Sequence, residues 1–168
     1  MPKNSHAPAD DAFTLPALTA AFAAGVEGAL PLPENQRAFL ARVLEDLRRD
    51  ELPGAAVADL ACVLGDFWRF ATAALEAAPA DASPAVRLIR ARGEGGRDLA
   101  MDVLEIVQPD APFLVDSVMG EIGESGAGVK AMFHPIVDHA GERVSLIQVW
   151  LAPVGEERRA GLIDRVLT

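Results

Sequence analysis

Residues 106–118 read IVQPDAPFLVDSV, and this stretch decides the fold. An apolar, β-branched run enters a turn that holds two prolines, and leucine and valine at helical spacing follow at once. Pro112 is expected in the first helical turn, since proline lacks the N–H that a helix start leaves unpaired, and Asp110 is expected near the N-cap. The stretch therefore predicts a strand over 101–108 and a helix over 113–125.

The segments around this strand and helix predict an antiparallel sheet. Alternating apolar residues indicate further strands at 85–92, 129–137 and 143–152, and an amphipathic pattern indicates a last helix at 156–167. The glycine-rich loop at 93–98 makes the first two strands a hairpin. A right-handed crossover through the helix at 113–125 then predicts the sheet order (85–92)-(101–108)-(143–152)-(129–137), with both helices of this half on one face.

The first half of the chain is predicted to be helical, with helices at 14–29, 34–50 and 55–78. The third helix carries a wide apolar stripe, which predicts that it packs on the other face of the sheet. Its Phe67, Trp68 and Phe70 are interpreted as core, with Trp68 or Phe70 reaching a subunit interface, and an exposed binding patch is the alternative. We predict an α+β fold with a disordered tail at 1–11, a helical segment at 12–80 and an α+β module at 81–168.

Composition excludes several classes of partner. The 168 residues carry a formal net charge of −10, and nucleic acids and anionic membranes are bound through clustered cations. Cys62 is the sole cysteine, so an intramolecular disulfide is excluded and a reducing cytoplasm is expected. No apolar run reaches the roughly 18 residues that a membrane-spanning helix needs.

Patterns that carry catalysis or bind cofactors are weak in this sequence. The loop at 93–96 lies between two predicted strands, whereas phosphate is bound where a helix begins. Asp110 and Asp116 could form an acid–base pair, but capping of the helix and interaction with its dipole explain two carboxylates there better, because no nucleophile or electrophile lies nearby. Weaker still are a metal site at His134, Asp138 and His139, and Ser117 as a nucleophile. We therefore predict neither a catalytic residue nor a metal site.

One candidate site remains, at the start of the helix at 113–125. A helix start collects backbone N–H groups without partners inside the helix, and these groups bind anions such as an amino-acid carboxylate. The residues placed around this start are Asp110, Phe113, Asp116 and Ser117. We interpret them as a candidate ligand-binding turn.

Two phrases of the sequence resemble a known family. Residues 110–118, DAPFLVDSV, and residues 134–136, HPI, are similar to the N-terminal region of the large bacterial NAD-specific glutamate dehydrogenases. The β-α-β-β order of the same segments resembles an ACT-type ligand-sensing module with a ferredoxin-like sheet. ACT modules bind amino acids in the turn that corresponds to 110–117, usually where two modules meet. This chain departs from the usual ACT turn, because Phe113 stands where ligand-binding turns have glycine.

The resemblance implies a function for the whole enzyme and another for this part of it. The enzyme oxidises glutamate to 2-oxoglutarate with NAD, in a catalytic domain downstream of this region. This chain is then expected to be non-catalytic and without a cofactor of its own. Its expected partners are the rest of the enzyme, further copies of itself and an amino-acid effector. The sequence ends after a helix where an ACT unit has one more strand, which predicts a truncated module. The alternatives are a free-standing amino-acid sensor and a small enzyme.

Overall fold

The computed structural model describes residues 14–26, 32–47, 52, 55–77 and 84–168. The tail predicted to be disordered, at 1–11, lies outside these residues. The last residues predicted for each of the three N-terminal helices lie outside them as well.

Three helices precede the sheet, as predicted. They are α1 (Leu15–Gly25), α2 (Glu34–Asp46) and α3 (Val57–Ala77). The start of α1 is capped by Thr14, whose hydroxyl accepts a hydrogen bond from the Ala17 N–H at 3.3 Å. This bond satisfies one of the N–H groups that the first turn of a helix leaves unpaired, which is why α1 begins there.

Aromatic rings hold the three helices together. The ring of Phe39 on α2 lies 6.1 Å from that of Phe22 on α1, and 6.2 and 5.1 Å from those of Phe67 and Trp68 on α3. Phe67 is fully buried, and Trp68 and Phe70 are half-buried against the same core. The prediction that the aromatic cluster of α3 belongs to the core is confirmed.

The sheet has the predicted order. Its strands are β1 (Ala85–Arg92), β2 (Asp98–Pro109), β3 (Val129–Phe133), β4 (Ile136–His139) and β5 (Glu142–Leu151). The order is β1-β2-β5-β3, with β4 also beside β5, and every pair is antiparallel. A crossover through helix α4 (Leu114–Ser125) joins β2 to β3, and helix α5 (Glu156–Leu167) follows β5.

The strand predicted over 129–137 is two strands, which corrects the sequence interpretation. The interruption falls at His134 and Pro135, since proline has no N–H with which to continue a ladder. Both pieces pair with β5, and the Leu146 N–H donates to the Pro135 carbonyl at 2.9 Å. The break turns His134 out of the regular ladder and makes it available for side-chain contacts.

Two apolar cores lie on opposite faces of the sheet. Helices α4 and α5 cover one face, where their Val118, Ile122 and Leu162 pack against apolar residues of β2 and β5. Helices α1, α2 and α3 cover the other face, over residues such as Val103 and Trp150. The predicted distribution of helices over the two faces is confirmed, and it explains the wide apolar stripe of α3.

A buried carboxylate fixes the start of α3 against the β1–β2 loop. Asp59 accepts hydrogen bonds from the N–H groups of Ala56 and Glu94, both at 3.0 Å, and forms an ion pair with Arg97. Burial acts to raise the pKa of Asp59, but these three donors together hold that pKa below its usual value. Gly93 lies directly against this carboxylate, since a Cβ at that position would be 2.8 Å from the Asp59 Cγ.

Candidate functional site: the turn before helix α4

The turn between β2 and α4 differs from its prediction in two respects. Helix α4 begins at Leu114, so Pro112 lies before the helix and not in its first turn. The N-cap is Phe113, which has φ 61° and ψ 9° and makes no side-chain capping bond. Asp110 therefore does not cap α4. Its N–H donates to the Arg143 carbonyl at 2.9 Å, and its carboxylate accepts a hydrogen bond from the Ser145 hydroxyl of β5.

The start of α4 offers backbone donors at the surface. The first hydrogen bond of the helix runs from the Ser117 N–H to the Phe113 carbonyl, at 3.0 Å. The N–H groups of residues 114–116 precede that bond, and a helix start with such groups attracts anions. Asp116 and Ser117 are exposed in this first turn.

Phe113 is an exposed aromatic residue in a left-handed backbone conformation. Its side chain is 79 % exposed, the most of the large hydrophobic side chains described. The left-handed region costs a non-glycine residue about 1–2 kcal/mol, because Cβ crowds the carbonyl oxygen. Glycine adopts this conformation without that cost, so Phe113 places an aromatic ring beside the helix start in a backbone conformation that favours glycine.

Of the four predicted site residues, three lie together and one is turned away. Phe113, Asp116 and Ser117 share the exposed start of α4. Asp110 is half-buried, and its Oδ1 accepts a hydrogen bond from the Ser145 hydroxyl at 2.8 Å. Asp110 thus lies beneath the turn rather than on its surface, with the Arg143 guanidinium 4.0 Å from its other oxygen.

A chain of hydrogen bonds continues from Asp110 to helix α2. The Nε2 of His134 lies 3.0 Å from the hydroxyl of Ser145, which is fully buried. The backbone N–H of His134 donates to Asp46 Oδ2 at 2.9 Å, and Asp46 is the last residue of α2. Desolvation lowers the pKa of His134 below its usual value, with Arg42 acting in the same direction and the two aspartates acting to raise it.

The hydrogen-bonded residues Asp110, Ser145 and His134 are not arranged as in a serine hydrolase. A nucleophilic serine needs a histidine whose other nitrogen is held by the carboxylate, and a reacting group must reach the hydroxyl. Here the carboxylate of Asp110 contacts Ser145 itself, and Ser145 is fully buried. From the sequence, His134 was considered only in a weak metal site, since 88 residues separate it from Asp46 and no spacing connects it to Ser145.

A second polar chain, also missed by the sequence analysis, crosses the sheet beneath α3. Arg87 of β1 donates to Glu105 Oε1 at 2.6 Å, and Gln148 of β5 donates to Glu105 Oε2 at 2.7 Å. These three residues are direct partners across β1, β2 and β5, and Trp150 Nε1 donates to the side-chain Oε1 of Gln148 at 2.9 Å. The sequence signal for this second chain of hydrogen bonds was the presence of Glu105 and Gln148 within the otherwise apolar runs of β2 and β5.

Burial and hydrogen bonding act in opposite directions on the charge of Glu105 in this second chain of hydrogen bonds. Glu105 is fully buried, and burial raises its pKa to about 7 although Arg87 and Gln148 act to lower it. Both carboxylate oxygens accept from nitrogen donors, so the arrangement is that of the ionised glutamate. Arg87 also reaches α3, where it donates to Asp66 Oδ2 at 2.8 Å and lies 4.2 Å from the ring centre of Phe70.

The chain's glycine-rich loop does not fit a dinucleotide such as NAD. Residues 93–96 join two antiparallel strands, and the Glu94 N–H already donates to the Asp59 carboxylate. A phosphate placed there would face a negative charge instead of a helix start. Within the described residues, no three histidine, cysteine, aspartate or glutamate side chains are grouped so as to hold a metal ion. No helix among them is long and apolar enough to cross a membrane.

Comparison with known proteins gives one match. A family model described as "Glutamate dehydrogenase, ACT1 domain" matches residues 39–161, well over half of the chain. The matched region begins within α2 and ends within α5; it includes α3, α4 and the whole sheet, whereas α1 lies outside it. No curated protein and no solved structure matches the chain.

Proposed function

The chain belongs to the glutamate dehydrogenase ACT1 domain family, and from this premise we propose that it is a non-catalytic regulatory and assembly part of a larger NAD-dependent glutamate dehydrogenase. The observation that carries the proposal is the extent of the match, which takes in part of α2 and all of α3 as well as the sheet. The helical layer is thus proposed to be part of the regulatory unit.

Two features support a role outside catalysis. All strand pairs in the described part of the chain are antiparallel, whereas NAD is bound at the carboxyl ends of neighbouring parallel strands, and the glycine-rich loop faces Asp59. The buried Ser145 has no route to a substrate. The oxidation of glutamate with NAD is therefore assigned to another part of the enzyme.

The proposed effector is an amino acid bound at the start of α4. Its carboxylate would accept from the N–H groups of residues 114–116, and Asp116 or Ser117 would contact its ammonium group. N–H donors without a partner inside the helix and the exposed carboxylate of Asp116 match the two ends of a zwitterion. Glutamate is the first candidate, because the proposed parent enzyme acts on it.

Calorimetric titration of the purified chain with glutamate, and then with other amino acids, tests this effector. We expect saturable binding that is weakened at least tenfold by Asp116→Ala. The matched control is Asp164→Ala, since Asp164 is also an exposed aspartate on a helix but lies on α5. Absence of binding by every amino acid at millimolar concentration, or equal affinity in Asp116→Ala, would contradict the proposal.

An activity assay tests the non-catalytic part. The purified chain, supplied with glutamate and NAD, is expected to produce no NADH above a blank. Production of NADH in proportion to the amount of chain, retained through a second purification step, would show that the chain itself is an enzyme.

A further inference from the structure

The Ser145 hydroxyl has one proton and two neighbours that could receive it. Asp110 as a carboxylate can only accept, and its Oδ1 lies 2.8 Å from Oγ. The neutral His134 ring can either donate or accept at Nε2, which lies 3.0 Å from the same oxygen. When Ser145 donates to Asp110, His134 must carry its proton on Nε2 and donate to Ser145.

The opposite direction satisfies the same three residues in another way. If Asp110 no longer accepts from Ser145, the hydroxyl turns to donate to the Nε2 lone pair, and the His134 proton moves to Nδ1. A fully buried hydroxyl left without an acceptor costs about 1–3 kcal/mol, so the serine proton follows whichever acceptor is present. The two directions are two discrete states of one hydrogen-bond chain.

We propose that Asp110, Ser145 and His134 form a two-state relay, in which the tautomer of His134 reports whether or not Asp110 accepts the Ser145 hydroxyl proton in a hydrogen bond. His134 is also tied to α2, because its backbone N–H donates to Asp46. The relay therefore connects the start of α4 to the end of α2 across β5. The identity of the effector rests on the proposed function, whereas the relay in the free chain does not.

Two details of the structure support this reading. Pro135 interrupts the ladder beside His134, so the ring is not fixed by regular strand geometry on both sides. Desolvation lowers the pKa of His134, which keeps the ring neutral near pH 7 and leaves both tautomers accessible. The charged groups that face His134 are Asp110 from the turn, and Asp46 and Arg42 from α2.

Nitrogen NMR of the His134 ring, on the full chain at neutral pH, tests the relay, because the two ring nitrogens have different shifts in the two tautomers. We expect the Nε2–H tautomer to predominate in the wild-type chain and the Nδ1–H tautomer to predominate in Asp110→Ala. The matched control is Asp138→Ala, since Asp138 is exposed and close in sequence to His134; it should leave the tautomer unchanged.

A double variant separates the relay from a direct field effect of Asp110 on the ring. Ser145→Ala removes the hydroxyl that connects Asp110 to His134. Adding Asp110→Ala to the Ser145→Ala variant should therefore leave the His134 tautomer unchanged. Predominance of Nδ1–H in the wild-type chain would overturn the relay. So would an unchanged tautomer in Asp110→Ala, or an equal effect of Asp110→Ala with and without Ser145. Should Asp110→Ala not fold, the wild-type spectrum still tests the relay, since predominance of the Nδ1–H tautomer there would overturn it. Failure of glutamate to bind would contradict the proposed effector only, because every spectrum above is recorded without a ligand.

Discussion

Replacing Glu105 by glutamine should remove a pH dependence of stability that runs opposite to ordinary acid denaturation. Glu105 is fully buried, and its pKa is raised from 4.5 to about 7 in the folded chain. The folded state therefore binds this proton more tightly than the unfolded state does. Between these two pKa values, raising the pH weakens the fold, and below about 4.5 the full stabilising contribution is present.

The size of the effect follows from the two pKa values. Each tenfold change in an equilibrium constant corresponds to about 1.4 kcal/mol, so the pKa change of Glu105 is worth about 3 kcal/mol. Between pH 5 and pH 8 the free energy of unfolding should lose about 2–3 kcal/mol through this one group. Glu105→Gln keeps the size of the side chain and cannot ionise, so that loss should be absent from the variant.

Urea unfolding followed by circular dichroism at pH 5 and pH 8 measures this difference. The other carboxylates affect wild type and Glu105→Gln alike. The quantity to compare is therefore the difference in the free energy of unfolding between pH 5 and pH 8, measured for each of the two proteins. Glu76→Gln is the matched control, because Glu76 is an exposed glutamate on α3, and it should keep the wild-type change. An identical change in wild type and Glu105→Gln would refute the reasoning that burial determines the charge of Glu105.

Three further predictions address the loop, the relay and the assembly. Gly93→Ala should lower the free energy of unfolding by about 2 kcal/mol or more, because the added Cβ would overlap the Asp59 carboxylate. Gly120→Ala is the control, since it lies in open space on α4 and should raise the free energy of unfolding by up to about 1 kcal/mol. Similar urea midpoints for the two variants would contradict this prediction. The pKa of His134 is lowered in the folded chain, so its contribution to the free energy of unfolding is present above pH 6.5 and is lost as the pH falls through the folded pKa. The stability difference between wild type and His134→Gln should therefore be larger at pH 7.5 than at pH 5. A difference that does not change with pH would contradict this prediction. Light scattering should give a dimer or larger species, because β1 and β3 are open sheet edges, and a monomeric mass at high concentration would count against assembly.

The sequence determined the sheet in unusual detail because its patterns are local and consistent. Alternating apolar residues, the predicted loop at 93–98 and the crossover through the next helix leave one right-handed arrangement, and β1-β2-β5-β3 is the order observed. The single strand predicted at 129–137 was wrong because the pattern of apolar residues continues through Pro135, while its backbone cannot donate.

The polar chains could not be predicted, because they depend on tertiary contacts. Asp110 was expected near the cap of the following helix, the common role of an aspartate before a helix start, but Ser145 and Arg143 of β5 hold it instead. Glu105 and Gln148 are 43 residues apart, and only the register of β2 against β5 brings them together. The exposed start of α4 was predictable, since it follows from a strand, a turn and a helix in immediate succession.

Amide NMR of the full chain titrated with glutamate measures directly whether an amino-acid carboxylate binds at the start of α4. We predict saturable shifts of the amide signals of residues 114–117, with smaller shifts at His134 and along the end of α2. The groove of about 160 Å³ between α4 and α5, lined by residues including Gly126, Gly128 and Gly155, serves as the internal comparison. Shifts confined to that groove, or no shifts at millimolar glutamate and the other amino acids, would contradict the claim.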